Sequence, residues 1–108
     1  MLEISTVLQE LKRILTEQFQ NVIKDVVLFG SRASGTAHAD SDYDVLIVLK
    51  RRTYTWKEKK AIRYACYDVA LRYDIFLDVK VISQYELDHT LQGTHPLFTE
   101  ALAHGVYA

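Results

Sequence analysis

The stretch FGSRASGTAHADSDYDVLIVL, residues 29–49, determines both the expected fold and the candidate site. Gly30 and Ser31 follow a short apolar run, and ten residues later Asp42 and Asp44 open a second one. Apolar runs of this length are typical of buried strands, and residues two apart on a strand project from the same face. Two carboxylates roughly 5 Å apart repel by about 3 kcal/mol at an effective dielectric near 20. The pattern therefore predicts a partner that offsets the repulsion.

The apolar spacing outside this stretch predicts that helices and strands alternate along the chain. The expected elements are helices over residues 5–20 and 31–37, strands over residues 26–29, 43–49 and 75–82, a helix opened by a capping box at Thr55, a helix near residues 84–91, a last helix beginning at Pro96, and an edge strand at residues 106–107.

The connections between these elements predict the strand directions. A whole helix joins the second strand to the third, so we expect those two strands to be parallel. The first and second strands are joined by about a dozen residues, and they are expected to be antiparallel if the Gly-Ser end of one meets the Asp end of the other. The predicted fold class is α+β, with a mixed β-sheet packed against helices.

The composition indicates a small protein without a strong charge bias. Its 108 residues, 49% of them hydrophobic, fit a single domain over residues 1–108 with a modest core. A net charge of −1 provides no basic field, so direct nucleic-acid binding is not expected. The lone Cys66 excludes an internal disulfide and a cysteine-based zinc site. Because we find no membrane-length apolar run and no signal peptide, we expect no membrane association and a cytoplasmic location.

A third carboxylate, Asp78, lies early in the third strand, as Asp42 and Asp44 lie early in the second. Parallel neighbours in that register place all three carboxylates at one end of the sheet. Hard oxygen ligands of this kind suit Mg²⁺, which binds through a few carboxylates together with substrate phosphates. Two such ions about 3.5–4 Å apart can clamp the attacking and leaving oxygens of a phosphoryl displacement. Divalent cations that arrive with a nucleotide would relieve the repulsion.

Gly30, Ser31 and Arg32 are the candidate phosphate-binding residues. A glycine lets the backbone approach a ligand closely. Amides at the start of a short helix can hold phosphate oxygens, with the Ser31 hydroxyl as a further donor. Arg32 can pair with a phosphate or simply cover the surface.

Other motifs fail on their spacing. The glycines at 30 and 35 fit part of a P-loop, but Thr36 stands where its phosphate-binding lysine belongs. The three aspartates at 40, 42 and 44 open like a calcium loop, but Val45 and Arg51 replace its required glycine and glutamate. An Asp-x-Asp pair alone would also suit a metal-dependent sugar transferase, and the preceding Gly-Ser pair makes the signal specific.

The spacing of Gly30-Ser31, Asp42-Tyr43-Asp44 and the later Asp78 resembles the DNA polymerase beta-type nucleotidyltransferase superfamily, whose fold is palm-like. The short length and the ending HPLFTEALAHGVYA are similar to its minimal nucleotidyltransferase branch. Members transfer a nucleoside monophosphate from a nucleoside triphosphate to a hydroxyl and release pyrophosphate. The resemblance implies ATP as substrate and two Mg²⁺ ions as cofactors.

The resemblance also implies a role for each matched residue. Asp42 and Asp44 would bind both metal ions. Asp78 would bind the catalytic ion and help to deprotonate the attacking hydroxyl. Gly30 and Ser31 would hold the triphosphate.

The minimal branch is commonly paired with a HEPN-domain toxin, and some members adenylylate a tyrosine of that toxin and so act as antitoxins. The resemblance therefore implies a HEPN-domain partner, while a homo-oligomer stays possible. Two alternatives remain open from the residues themselves. One is a non-catalytic antitoxin that neutralises its partner by binding. The other is a transferase acting on RNA or a small molecule, for which the basic segment at residues 50–60 gives slight support.

Overall fold

A mixed β-sheet forms the centre of the described part of the chain. The computed structural model describes residues 4–30, 32, 42–50 and 54–108. Within these residues the strands lie in the order β3-β2-β1-β4. Their bounds are β1 (Ile23–Phe29), β2 (Tyr43–Leu49), β3 (Leu77–Ser83) and β4 (Val106–Tyr107). β1 is antiparallel to β2 and to β4, and β2 is parallel to β3, so the predicted directions and fold class are confirmed.

Helices cover the sheet on both sides. They are α1 (Ile4–Gln18), α2 (Trp56–Tyr73), α3 (Gln84–His89) and α4 (Pro96–His104), with a 3₁₀ helix over Leu91–Thr94. The predicted capping box at Thr55 is present, because its side chain accepts from the Glu58 amide while the Glu58 side chain accepts from the Thr55 amide. Apart from Arg32, the expected helix over residues 31–37 lies outside the described residues. No helix in the described ranges is both long and apolar enough to cross a membrane.

Several predicted boundaries were wrong by two or three residues, for local reasons. β1 begins at Ile23 and not at residue 26, because its pairing with β2 extends back to Leu49. β3 begins at Leu77 and not at residue 75. The Ile75 amide donates to Ala70 O of α2, so that residue still caps the end of the helix and does not yet pair with β2. α1 ends at Gln18 and not at residue 20, and the turn that follows contains Asn21 at φ 63°.

The two faces of the sheet have different cores. Val45, Ile47 and Leu49 of β2 belong to a cluster that also contains the buried residues of α1 and α2. Leu46 and Val48 point the other way and belong to a cluster with Phe98 and Ala101 of α4. β2 is therefore buried on both faces, which explains its unbroken apolar run. On the α4 face, polar side chains replace apolar ones toward the start of β2 and β3.

An ion pair between Lys59 and Glu86 joins α2 to α3. Lys59 Nζ lies 2.8 Å from Glu86 Oε1 and 3.1 Å from Oε2, and both side chains are less than a fifth exposed. Glu86 also completes a capping box with Ser83. Although burial alone would raise the pKa of Glu86, the hydrogen bonds from Lys59 and the Ser83 backbone lower it overall.

Replacing Glu86 with glutamine should destabilise the protein by about 1 kcal/mol at pH 7, since glutamine keeps the cap but loses the charge. Because the pKa of Glu86 is lowered on folding, this contribution is present above the ordinary glutamate pKa and lost as the pH falls through the folded value. Urea unfolding at pH 7 and pH 3 measures both effects.

The matched control is Glu17→Gln, because Glu17 pairs with Arg13 at 3.0 Å but both side chains are more than half exposed. We expect this change to cost less than about 0.5 kcal/mol. Equal costs at Glu17 and Glu86 would contradict a special role for the largely buried pair of Lys59 and Glu86.

Candidate active site

Two of the three predicted carboxylates are direct neighbours on adjacent strands. In the parallel register of β2 and β3, Asp44 is paired with Asp78. Both side chains are half-buried and lie on the α4 face of the sheet. Asp42 is exposed and directly precedes Tyr43, the first residue of β2. The structure therefore brings Asp44 and Asp78 together, with Asp42 one pleat further toward the start of the strand.

The electrostatics of Asp44 reflect this crowding. Burial raises the pKa of Asp44, and the charges of Asp78 and Asp42 raise it further. Lys80 acts in the opposite sense, and its Nζ lies 3.3 Å from Asp78 Oδ1. The predicted repulsion is present, and within the protein Lys80 offsets only part of it.

Gly30 occupies a position that no other residue fits well. It follows Phe29, which is paired with Asp44, and its φ of 76° lies in the left-handed region. A Cβ at position 30 would overlap Asp44 Oδ2. Both the backbone conformation and the space beside the carboxylate therefore require glycine here.

Of the other two candidate phosphate-binding residues, the structure describes Arg32 but not Ser31. The Arg32 guanidinium stacks on the Tyr43 ring, with Cζ 4.4 Å from the ring centroid. Tyr43 packs against the cluster formed with α1 and α2, so this contact places the guanidinium at the start of β2 on the face opposite Asp44 and Asp78.

A cleft beside the carboxylates was missed by the sequence reasoning. It has a volume of about 600 Å³ and runs between the end of β1 and α4. Its lining is mostly apolar, with Glu100 and His104 as the polar members. The remaining lining residues are Phe29, Gly30, Pro96, Leu97, Ala101 and Gly105. The lining residues come from segments far apart in sequence. The only local signal was a pair of small residues, Ala101 in α4 and Gly105 directly after it.

The three carboxylates fit Mg²⁺ by the chemistry of their donor atoms. They supply hard oxygen donors, and burial together with the charges of Asp78 and Asp42 raises the pKa of Asp44, so a cation beside these groups would favour its ionised form. In the described ranges no three aspartate, glutamate, histidine or cysteine side chains form a ready-made metal-ligating cluster. The fit therefore rests on the donor set and not on a completed coordination shell.

A mixed sheet that carries adjacent carboxylates beside a constrained glycine is what the resemblance to nucleotidyltransferases implies. A family model described as nucleotidyltransferase domain matches residues 8–91, which is more than three quarters of the chain. The chain belongs to this nucleotidyltransferase family, and the resemblance found in the sequence is confirmed.

Individual relatives agree with this assignment. "Putative protein adenylyltransferase MJ0141" of Methanocaldococcus jannaschii is 36% identical over 76 residues, covering 70% of this chain and 76% of the relative. A crystal structure of a mutant of the toxin-antitoxin MntA-HpeT superposes with a TM-score of 0.60 at 14% identity, covering 92% of this chain and 69% of that one. A crystal structure described as "a putative nucleotidyltransferase from Sulfolobus solfataricus" superposes with a TM-score of 0.55 at 25% identity. The match covers 80% of this chain and 72% of that one.

Replacing Asp44 with asparagine should raise the melting temperature at pH 7 in the absence of divalent cations, because it removes a charge that the fold disfavours. Since the pKa of Asp44 is raised on folding, its ionisation costs stability above the ordinary aspartate pKa of about 3.9 and nothing below it. We expect a gain of a few degrees, because ~1 kcal/mol corresponds to roughly 4–8 °C in a domain of this size. Thermal unfolding followed by circular dichroism from pH 3 to pH 7 measures the gain.

Asp68→Asn is the control, because Asp68 is an exposed aspartate on α2 and its replacement changes the net charge equally. It should leave the melting temperature within about a degree. A less stable Asp44→Asn protein at pH 7 would show that the carboxylate is not under the strain inferred here.

Replacing Gly30 with alanine should destabilise the protein, through about 1–2 kcal/mol of left-handed backbone cost and a further cost of displacing Asp44. A double-mutant cycle with Asp44→Ala separates the two costs, because that variant removes the overlapping carboxylate. The Gly30→Ala cost should then fall by about 1 kcal/mol. An equal cost in both backgrounds would mean that contact with Asp44 does not restrict position 30.

Proposed function

We propose that this chain is a Mg²⁺-dependent adenylyltransferase that moves AMP from ATP to a tyrosine hydroxyl of a partner HEPN-domain toxin, and so acts as its antitoxin. The observation that carries the proposal is the pairing of Asp44 with Asp78 beside Gly30, with Asp42 one pleat away. A family of nucleotidyltransferases supplies the reaction class.

The names of relatives support the choice of acceptor and nucleotide. MJ0141 is named for protein adenylyl transfer, which supports a protein acceptor and an AMP donor. A second structural neighbour is described as a toxin-antitoxin with AMP-PNP, an ATP analogue, and has a TM-score of 0.58 at 19% identity. The toxin partner, its HEPN fold and its tyrosine are what the resemblance to the minimal branch implies. Since ATP is abundant in the cytoplasm, we place the reaction there.

The carboxylates have distinct proposed roles. Two Mg²⁺ ions are proposed. Asp42 and Asp44 would bind both of them, and Asp78 would bind one. When bound, the ions would neutralise the phosphate charges and stabilise the attacking and leaving oxygens. Lys80 pairs with Asp78 across 3.3 Å, and so supplies one positive charge on the same face.

The proposed step is a displacement at the α-phosphorus. The tyrosine oxygen forms a bond to that phosphorus while the bond to the bridging oxygen of the β-phosphate breaks, and pyrophosphate leaves. The phenolic proton passes to the Asp78 carboxylate. The backbone at Gly30, with Ser31 and Arg32, would bind the triphosphate and hold it in line with the acceptor.

Incubating the protein with Mg²⁺, the neighbouring gene product and ATP labelled at the α-phosphate should label that gene product. ATP labelled at the γ-phosphate should leave it unlabelled, because pyrophosphate is released. The double variant Asp42→Asn, Asp44→Asn should lose at least ~10²-fold in rate, since it removes the carboxylates proposed to hold the metal ions. Autoradiography of the separated proteins measures the transfer.

Asp68→Asn serves as the charge-matched control and should label normally. Equal labelling by the double variant would remove the assigned site. If the double variant fails to label but still neutralises the toxin as well as the wild type, neutralisation depends on binding, and the catalytic part of the antitoxin proposal is wrong.

A further inference from the structure

Phe76 is a large apolar side chain left in solvent next to the candidate site. Its side chain is 79% exposed, although burying a phenylalanine side chain is worth about 1.5–3 kcal/mol. An aromatic ring exposed beside polar functional groups can stack on the ring of a bound ligand. Among the described residues, Phe76 belongs to neither apolar cluster of the sheet.

The backbone places Phe76 in the row of the sheet that adjoins the carboxylates. The Tyr43 amide donates to Phe76 O across 2.8 Å, which continues the parallel ladder one step beyond the pairing of Tyr43 with Leu77. Because strand side chains alternate, Phe76 lies on the same face as Asp78, one pleat away and beside Asp42. The ring thus stands at the entrance to the carboxylates from the β3 side.

Gly30 and Phe76 lie on opposite sides of the carboxylates. Gly30 ends β1, on one side of β2, whereas Phe76 precedes β3 on the other side. Two strand spacings separate β1 from β3, which is roughly 9.5 Å. A triphosphate bound at Gly30 would direct its leaving pyrophosphate toward β1. In-line displacement then requires the acceptor to approach from the β3 side.

We propose that Phe76 and Asp78 form an acceptor subsite, in which the Phe76 ring stacks on the aromatic ring of a phenolic acceptor while Asp78 receives its proton. This inference rests on the proposed function and identifies the residues that select the acceptor. The Lys80 ion pair restrains the Asp78 carboxylate next to that ring. An aliphatic hydroxyl such as serine would reach the same carboxylate without the stacking contact.

Binding measurements on the intact protein test the subsite without the partner. The protein is first saturated with Mg²⁺ and α,β-methylene-ATP, which resists cleavage at the reacting bond. N-acetyl-tyrosinamide and N-acetyl-serinamide are then titrated and followed by NMR. We expect Phe76→Ala to weaken tyrosinamide binding about 3- to 10-fold, and Phe76→Tyr to restore it. The affinity for the nucleotide should stay within twofold in both variants.

Leu71→Ala is the matched control, because Leu71 has the same 79% exposure but lies on α2, which covers the opposite face of the sheet. It should leave both affinities unchanged, and the weaker serinamide binding should not respond to Phe76→Ala.

Unchanged tyrosinamide binding in Phe76→Ala, or no tyrosinamide binding to the wild type, would overturn the subsite while nucleotide binding still supports the transferase. A loss of nucleotide affinity in Phe76→Ala would instead make the ring a nucleobase contact. Failure of the wild type to bind the nucleotide would remove the proposed function and the subsite with it.

Discussion

The parallel pairing of β2 with β3 is the constraint on which the rest of the structure depends. It sets Asp44 opposite Asp78, Leu46 opposite Lys80 and Val48 opposite Ile82. A slip of one residue would move Asp78 and Lys80 to the other face and place Val79 among the carboxylates. The apolar residues of β3 would then leave the cluster they share with α1 and α2, so core packing and site geometry select the same register.

The site is built at a cost to the fold. Asp44 carries a charge that burial and two neighbouring carboxylates disfavour, and it stands directly before the fully buried segment Val45–Leu49. Gly30 accepts a left-handed backbone beside that carboxylate. The Asp44 charge lowers stability in the free protein, whereas glycine adopts the left-handed backbone without steric cost. In the proposed function both features would be used when a cation and phosphates bind. The two-sided burial of β2 supplies the stability that tolerates the Asp44 charge.

How far the sequence could predict the structure depended on how local each signal was. The β2 segment was predicted to the residue, because an apolar run buried on both faces is visible in the sequence. The capping box at Thr55 was equally local. The start of β1 was missed, because Ile23 and Asp25 join the strand through pairing with β2, with a register irregularity at Lys24 between them, and not through a local apolar run. The cleft against α4 and the exposure of Phe76 depend on packing between distant segments, which no periodicity encodes.

The whole of α2 separates Asp44 from Asp78 in the sequence. The hairpin of β1 and β2 is a local contact, whereas β3 can add to it only after the crossover helix has folded back across the sheet. During synthesis, a ribosome-bound chain therefore carries its glycine and first two carboxylates well before the third can take its place. Such a chain cannot gather the full set of acidic groups, so the complete set of three carboxylates exists only after translation has passed β3 and the sheet has closed.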